Sequence, residues 1–162
     1  MKNIFIVFIY FIIDQLTKFY IVITIPFESS YKVTNFLNFV HIKNKGFVLG
    51  FFSNLDESLL LILHILLFFL AIIIIFKLIY VELRFRTVSI LLFAGAIGNS
   101  FDRIFKGGVI DFLDFHYFGY HWPAFNIADL MISLGVIIYI LFFILEGRSN
   151  VHRPSWRSRE DF

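Results

Sequence analysis

A chain of 162 residues that is 59% hydrophobic and only 16% charged departs from soluble domains, which are roughly 45–50% apolar and about 25% charged. That composition excludes a water-soluble globule, and the absence of cysteine excludes disulfides, thiolate metal sites and thiol nucleophiles. A net charge of +2 is too small to neutralise a phosphate backbone, so a nucleic-acid partner is excluded as well.

A helix needs about 20 mostly apolar residues to cross ~30 Å of hydrocarbon. Four stretches meet that requirement, at 4–25, 59–76, 87–104 and 127–145. No Pro/Gly/Ser-rich linker divides the chain, which therefore reads over 1–162 as a single integral membrane domain: an all-α membrane protein of four transmembrane helices.

In the first span, Lys2 ahead of an apolar run has the look of a signal peptide, but Asp14 and Lys18 interrupt the run and no small-x-small cleavage site follows, which marks a retained helix. Asp14 and Lys18 are four residues apart and share a helix face, either neutralising each other or bracing a polar site between helices. The outer loop at 26–58 contains Phe36-Leu37-Asn38-Phe39-Val40-His41-Ile42. Its alternation predicts a small β-containing domain between helices 1 and 2 on the non-cytoplasmic side. In the second span, His64 reads as an interhelical or headgroup-level hydrogen bonder, and Lys77 as a side chain that snorkels to the inner surface.

The third span ends in Gly98-Asn99-Ser100-Phe101-Asp102-Arg103, and its small residues Ala94, Gly95, Ala96 and Gly98 permit close helix packing. The second outer loop, 105–126, adds two carboxylates in Gly107-Gly108-Val109-Ile110-Asp111-Phe112-Leu113-Asp114. The fourth span opens at Pro123-Ala124-Phe125-Asn126-Ile127-Ala128-Asp129, where Asn126 as cap and Asp129 in the first turn fit a helix N-terminus. The tail, 147–162, is polar and basic, suited to anionic lipid headgroups.

Direction follows from the cations. Lys2, Lys77, Arg84, Arg86, Arg148, Arg153, Arg157 and Arg159 crowd the short segments on one side, whereas Lys32, Lys43, Lys45, Arg103 and Lys106 are spread over the longer loops on the other. The positive-inside bias places both termini in the cytoplasm. The ends of spans three and four then meet near the outer leaflet, gathering Asp102, Asp111, Asp114, Asp129, Asn99, Asn126 and Arg103 at one depth, more polar groups than capping requires.

The sequence contains no G-x-S-x-G nucleophile elbow and no H-E-x-x-H, and His116 and His121 lack helical ligand spacing, so neither serine nor zinc hydrolysis is supported. No metal or cofactor is expected. Two carboxylates that share one proton hydrolyse an amide without a metal, the charged one activating water and the protonated one donating to the carbonyl. The residues themselves leave that pair open among Asp102, Asp111, Asp114 and Asp129.

Five stretches in order, Asp14-Gln15-Leu16-Thr17-Lys18, Asn44-Lys45-Gly46, Gly98 to Arg103, Val109-Ile110-Asp111-Phe112 and Pro123 to Asp129, closely resemble the motifs of lipoprotein signal peptidase, or signal peptidase II. The resemblance covers nearly the whole chain. It implies an intramembrane aspartic endopeptidase of the bacterial inner membrane, acting as a monomer among membrane lipids. Its substrates would be diacylglyceryl-modified prolipoproteins, cut on the N-terminal side of the lipidated lipobox cysteine. Carried over by position, the catalytic pair falls on Asp111 and Asp129. Support or substrate binding falls on Asn99, Asp102, Arg103, Asn126, Asn44, Gly46, Asp14 and Lys18, with Asp102 and Arg103 together pinning the loop that presents Asp111. Phe47, Val48 and Leu49 depart from the small residues and aromatic usual after Asn44-x-Gly46. The competing classes are a small proton-coupled carrier and a non-catalytic assembly factor.

Overall fold

The computed structural model describes residues 2–45 and 85–151, together with positions 56, 58–59, 62–63, 65–66, 68–69 and 72–73. Three helices form from predicted spans: α1 (Lys2–Thr24), α2 (Arg86–Lys106) and α3 (Ile127–Val151). Each is long and apolar enough to cross a membrane. Half of the second predicted span, 59–76, lies outside the described residues, as do His64 and Lys77, and the residues described within it are helical. Helix α3 runs beyond the predicted end of its span, taking in the first residues of the basic tail; residues 152–162 lie outside the described residues.

Contacts at the helix ends give their directions. Arg86, opening α2, donates from Nε to Asn3 Oδ1 near the start of α1 at 2.6 Å, while Lys18 late in α1 meets Asn99 and Asp102 late in α2. The two helices are therefore parallel. Helix α3 runs the other way, with Ala128 of its first turn against Gly95 and Gly98 of α2 and its later Tyr139 and Phe142 against Phe85. A Cβ on Gly95 would stand 2.5 Å from the Ala128 carbonyl oxygen, and one on Gly98 would stand 2.7 Å from Asp14 Oδ2. Only a hydrogen fits at either place. Gly95→Ala should thus force α2 from α3 and lower the thermal midpoint in detergent, at a cost of about 1–3 kcal/mol; an unchanged midpoint would show slack in this contact.

At the end of the bundle where α1 finishes lies an antiparallel sheet in the order β1 (Ser30–Lys32), β2 (Leu37–Asn44), β3 (Val109–Tyr117), β4 (Tyr120–His121). The β element expected in the loop between helices 1 and 2 forms as β1 and β2, and the loop between α2 and α3 supplies the other half of the sheet. Gly107, at φ +67°, ends α2 in the left-handed conformation that a side chain disfavours, and the chain turns directly into β3. Ile21, Ile25, Ile110 and Phe112 form the buried cluster that seats the sheet on α1.

One irregularity decides which side chains point where. Phe39 pairs with Leu113 and Ile42 with Asp111, three steps along β2 against two along β3, so β2 carries a bulge at Val40 and His41. His41 anchors it: its Nδ1–H donates to the Ile25 carbonyl at 2.7 Å, its backbone N–H to Ser29 and its carbonyl accepts from Glu28. Beyond the bulge, Asn44 and Ile42 share the side of Asp111, while Lys43, paired with Ile110, points to the other side.

Candidate active site

After β4 the chain returns along β3 and bridges Leu113 to Phe125, with Leu113 N–H donating to the Phe125 carbonyl at 2.8 Å and Phe125 N–H to that of Leu113 at 3.1 Å. This step delivers Asn126 to Asp111. Asn126 Nδ2 donates to Asp111 Oδ1 at 2.6 Å, and its Oδ1 accepts from the backbone N–H of Asp129 at 3.0 Å. Asp129 Oδ2 in turn accepts from the backbone N–H of Asn126 at 3.2 Å, a reciprocal capping box at the start of α3. One buried asparagine thus caps the helix and positions both acids.

The remaining oxygens of the two acids are held by amides from other elements. Asp111 Oδ2 accepts from Asn44 Nδ2 at 3.0 Å, and Asp129 Oδ1 accepts from Asn99 Nδ2 at 2.7 Å. Asn99 offers its amino end to Asp129 because its oxygen is taken by Lys18 Nζ at 3.0 Å. Lys18 is fully buried and also reaches Asp14 Oδ2 at 2.8 Å and Asp102 Oδ2 at 2.7 Å, so its three protons have three acceptors. Asp14 Oδ1 accepts from the backbone N–H of Ala128 at 2.9 Å, a donor that the helix start leaves without an intrahelical partner. Asp14 and Lys18 therefore pair with each other and also reach the elements that carry Asp129, through Asn99 and the backbone of Ala128.

Sequence reasoning misses two members of this network. Lys106 pairs with Asp102 Oδ1 at 2.7 Å and donates to Gln15 Oε1 at 2.8 Å, while Gln15 Nε2 donates to Asp14 at 3.1 Å. The i, i+4 spacing of Asp102 and Lys106 was the available signal. The side chains of Asp102 and Arg103, expected to pin the loop of Asp111 together, face different partners. Asp102 turns to Lys18 and Lys106, whereas Arg103 lines a cavity with Asp111 and Asp129 and feels the charge of both.

That cavity has a volume of about 440 Å³. Asn44, Arg103, Asp111, Asp129 and Ser133 supply its polar groups, and Val109, Phe125, Leu130 and Ile132 its apolar walls, with Trp122 and Pro123 also in the lining. Asp114, the fourth acid considered, is engaged elsewhere, accepting from Asn38 Nδ2 at 2.9 Å and meeting His121 Nδ1 at 2.8 Å. Gly46, Phe47, Val48 and Leu49 lie outside the described residues.

Burial, followed by the negative charge of Asp129, pushes the Asp111 carboxyl from 3.8 up to about 6, against the opposing pull of Asn44, Asn126 and Lys18. The arrangement can therefore keep a proton on one acid beside a second acid in the same apolar-walled cavity.

The family model described as Signal peptidase (SPase) II matches residues 6–145. The chain is similar to the lipoprotein signal peptidase of Thermodesulfovibrio yellowstonii, 34% identical over 83% of this chain and 88% of that one. It is also similar to the lipoprotein signal peptidase of Pelagibacter ubique, 39% identical over 86% and 85% respectively. A solved bacterial membrane enzyme superposes with a TM-score of 0.76 at 33% identity, covering 94% of this chain and 93% of that one. A second superposes with a TM-score of 0.69 at 35% identity, covering 88% and 92%.

Proposed function

The chain belongs to the signal peptidase II family, a peptidase of the multi-pass bacterial membrane type, and from that premise we propose that it is an aspartic endopeptidase cutting diacylglyceryl-modified prolipoproteins on the N-terminal side of the lipidated cysteine. The observation that carries this reading is Asn126, which bonds to Asp111 and Asp129 at once while both acids line one cavity.

In the proposed cycle, Asp111 holds the proton and Asp129 the charge. Asp129 takes a proton from water as the water oxygen bonds to the scissile carbonyl carbon, and Asp111 gives its proton to the carbonyl oxygen. The diol intermediate then collapses, Asp129 returning its proton to the departing nitrogen as the C–N bond breaks, and Asp111 recovering its proton from the hydroxyl. Arg103, with its charge beside both acids, stabilises the negative charge that develops at the carbonyl.

Four spans with both termini cytoplasmic complete the proposal. Helices α1 and α2 are parallel, so the chain that leaves the site end after α1 and begins α2 at the far end has to cross between them. The helical residues described within 58–73 suit that crossing, and the distribution of Lys and Arg sets the direction.

Incubating the purified protein with a diacylglyceryl-modified precursor should release the signal peptide, seen as two product masses, while the same precursor without its lipid is left whole. Equal cleavage of both would remove the lipoprotein assignment. A second expectation concerns pH. Activity needs Asp111 protonated, so kcat/KM should fall as pH rises through about 6. Asn44 bonds to the charged form and lowers that value, so Asn44→Ala should move the alkaline limb to higher pH. A limb that stays in place or moves down in the pH–rate profile contradicts the assignment of the proton to Asp111.

A further inference from the structure

The bulge in β2 gives the β2–β3 pair a second chemistry on its reverse side. There a cavity of about 280 Å³ opens, with Phe19, Val22, Phe27, Lys43, Lys106 and Ile110 in its lining, and it shares no residue with the cavity of the two acids. Lys18 also borders it. The formal charges beside it are three lysines, Lys18, Lys43 and Lys106, against Asp14 and Asp102, which Lys18 and Lys106 already neutralise. Lys43 is the excess cation, with no ion-pair partner among the described residues. Its stem lies against Gly108 and its ammonium near Gly107, at the end of α2, where the helix dipole favours a cation.

Below these ammonium groups the wall is apolar. Phe19, Val22 and Ile23 of α1 are exposed on a helix suited to cross the bilayer, so acyl chains are their natural neighbours. Cations above and an exposed hydrocarbon-facing wall below match a ligand with one negative charge on its head and a lipid tail. We propose that this cavity binds an anionic phospholipid, its phosphodiester between Lys43 and Lys106 and an acyl chain along Phe19 and Val22. The diacylglyceryl group of the proposed substrate carries no phosphate and matches the cavity poorly. The proposal does not rest on the peptidase reading, since it requires only that α1 cross a membrane.

The test is native mass spectrometry of the full chain extracted from vesicles of equal phosphatidylcholine and phosphatidylglycerol. The wild-type protein should retain phosphatidylglycerol preferentially, Lys43→Gln should lose that retention by about fivefold, and Lys43→Arg should keep it. Val22→Trp, which fills the cavity from the α1 side, should lose it too and decides the matter if Lys43→Gln does not fold. Three results overturn the proposal: no preference in the wild type, undiminished retention in folded Lys43→Gln or Val22→Trp, or displacement of the lipid by millimolar inorganic phosphate, which would mark a site for free anions.

Discussion

Asp111→Asn and Asp129→Asn should each leave a folded, membrane-inserted protein whose turnover of a diacylglyceryl-modified precursor falls by about 10³-fold or more. Asparagine keeps the shape of either side chain and one oxygen, so one of the two hydrogen bonds that each acid accepts from the surrounding frame survives. What disappears is the exchangeable proton at one position or the charge at the other. Asp111→Asn also removes an acid whose ionisation burial opposes, so its thermal midpoint should be no lower than that of the wild type. Turnover by either purified variant within tenfold of wild type would dissolve the dyad.

Lys18→Met should cause the largest loss of folded protein. The ammonium is fully buried and satisfies Asp14, Asp102 and Asn99 together. Removing one partner of a buried ion pair costs about 3–5 kcal/mol because the remaining charge stays behind without compensation. Here two carboxylates lose their shared cation, and Asn99 loses the contact that turns its amino group toward Asp129. The cause can be separated from lost packing by adding Asp14→Asn, which relieves part of the excess negative charge and should recover folded yield without recovering full activity. A Lys18→Met protein with a wild-type midpoint in detergent would show that the buried network contributes nothing to folding.

Long apolar runs made α1, α2 and α3 legible, because a span of hydrocarbon demands a length that few other elements share. The acids around the site were legible for the opposite reason: carboxylates and amides at membrane depth need partners. Strand β3 was harder to see. Asp111 and Asp114 sit on opposite sides of it and are both buried, which erases the polar–apolar alternation that identified β2. The division between Asp102 and Arg103 was hidden too. Adjacent residues on a helix point about 100° apart, so neighbours in sequence serve different partners, and only the packing of α1 on α2 shows that Lys18 claims the first while the cavity receives the second. Gln15 was masked by its strongly charged neighbours Asp14 and Lys18.

The extra residue at Val40 and His41 makes β2 tolerant of a change in length on one side and intolerant on the other. With either one deleted, two steps along β2 would match two along β3, and Ile42, Lys43 and Asn44 would keep their partners in a regular ladder. One residue inserted between Ile42 and Lys43 has no such slack to take up. It would carry Lys43 into the place of Asn44 and set an ammonium where the paired acids now meet an amide.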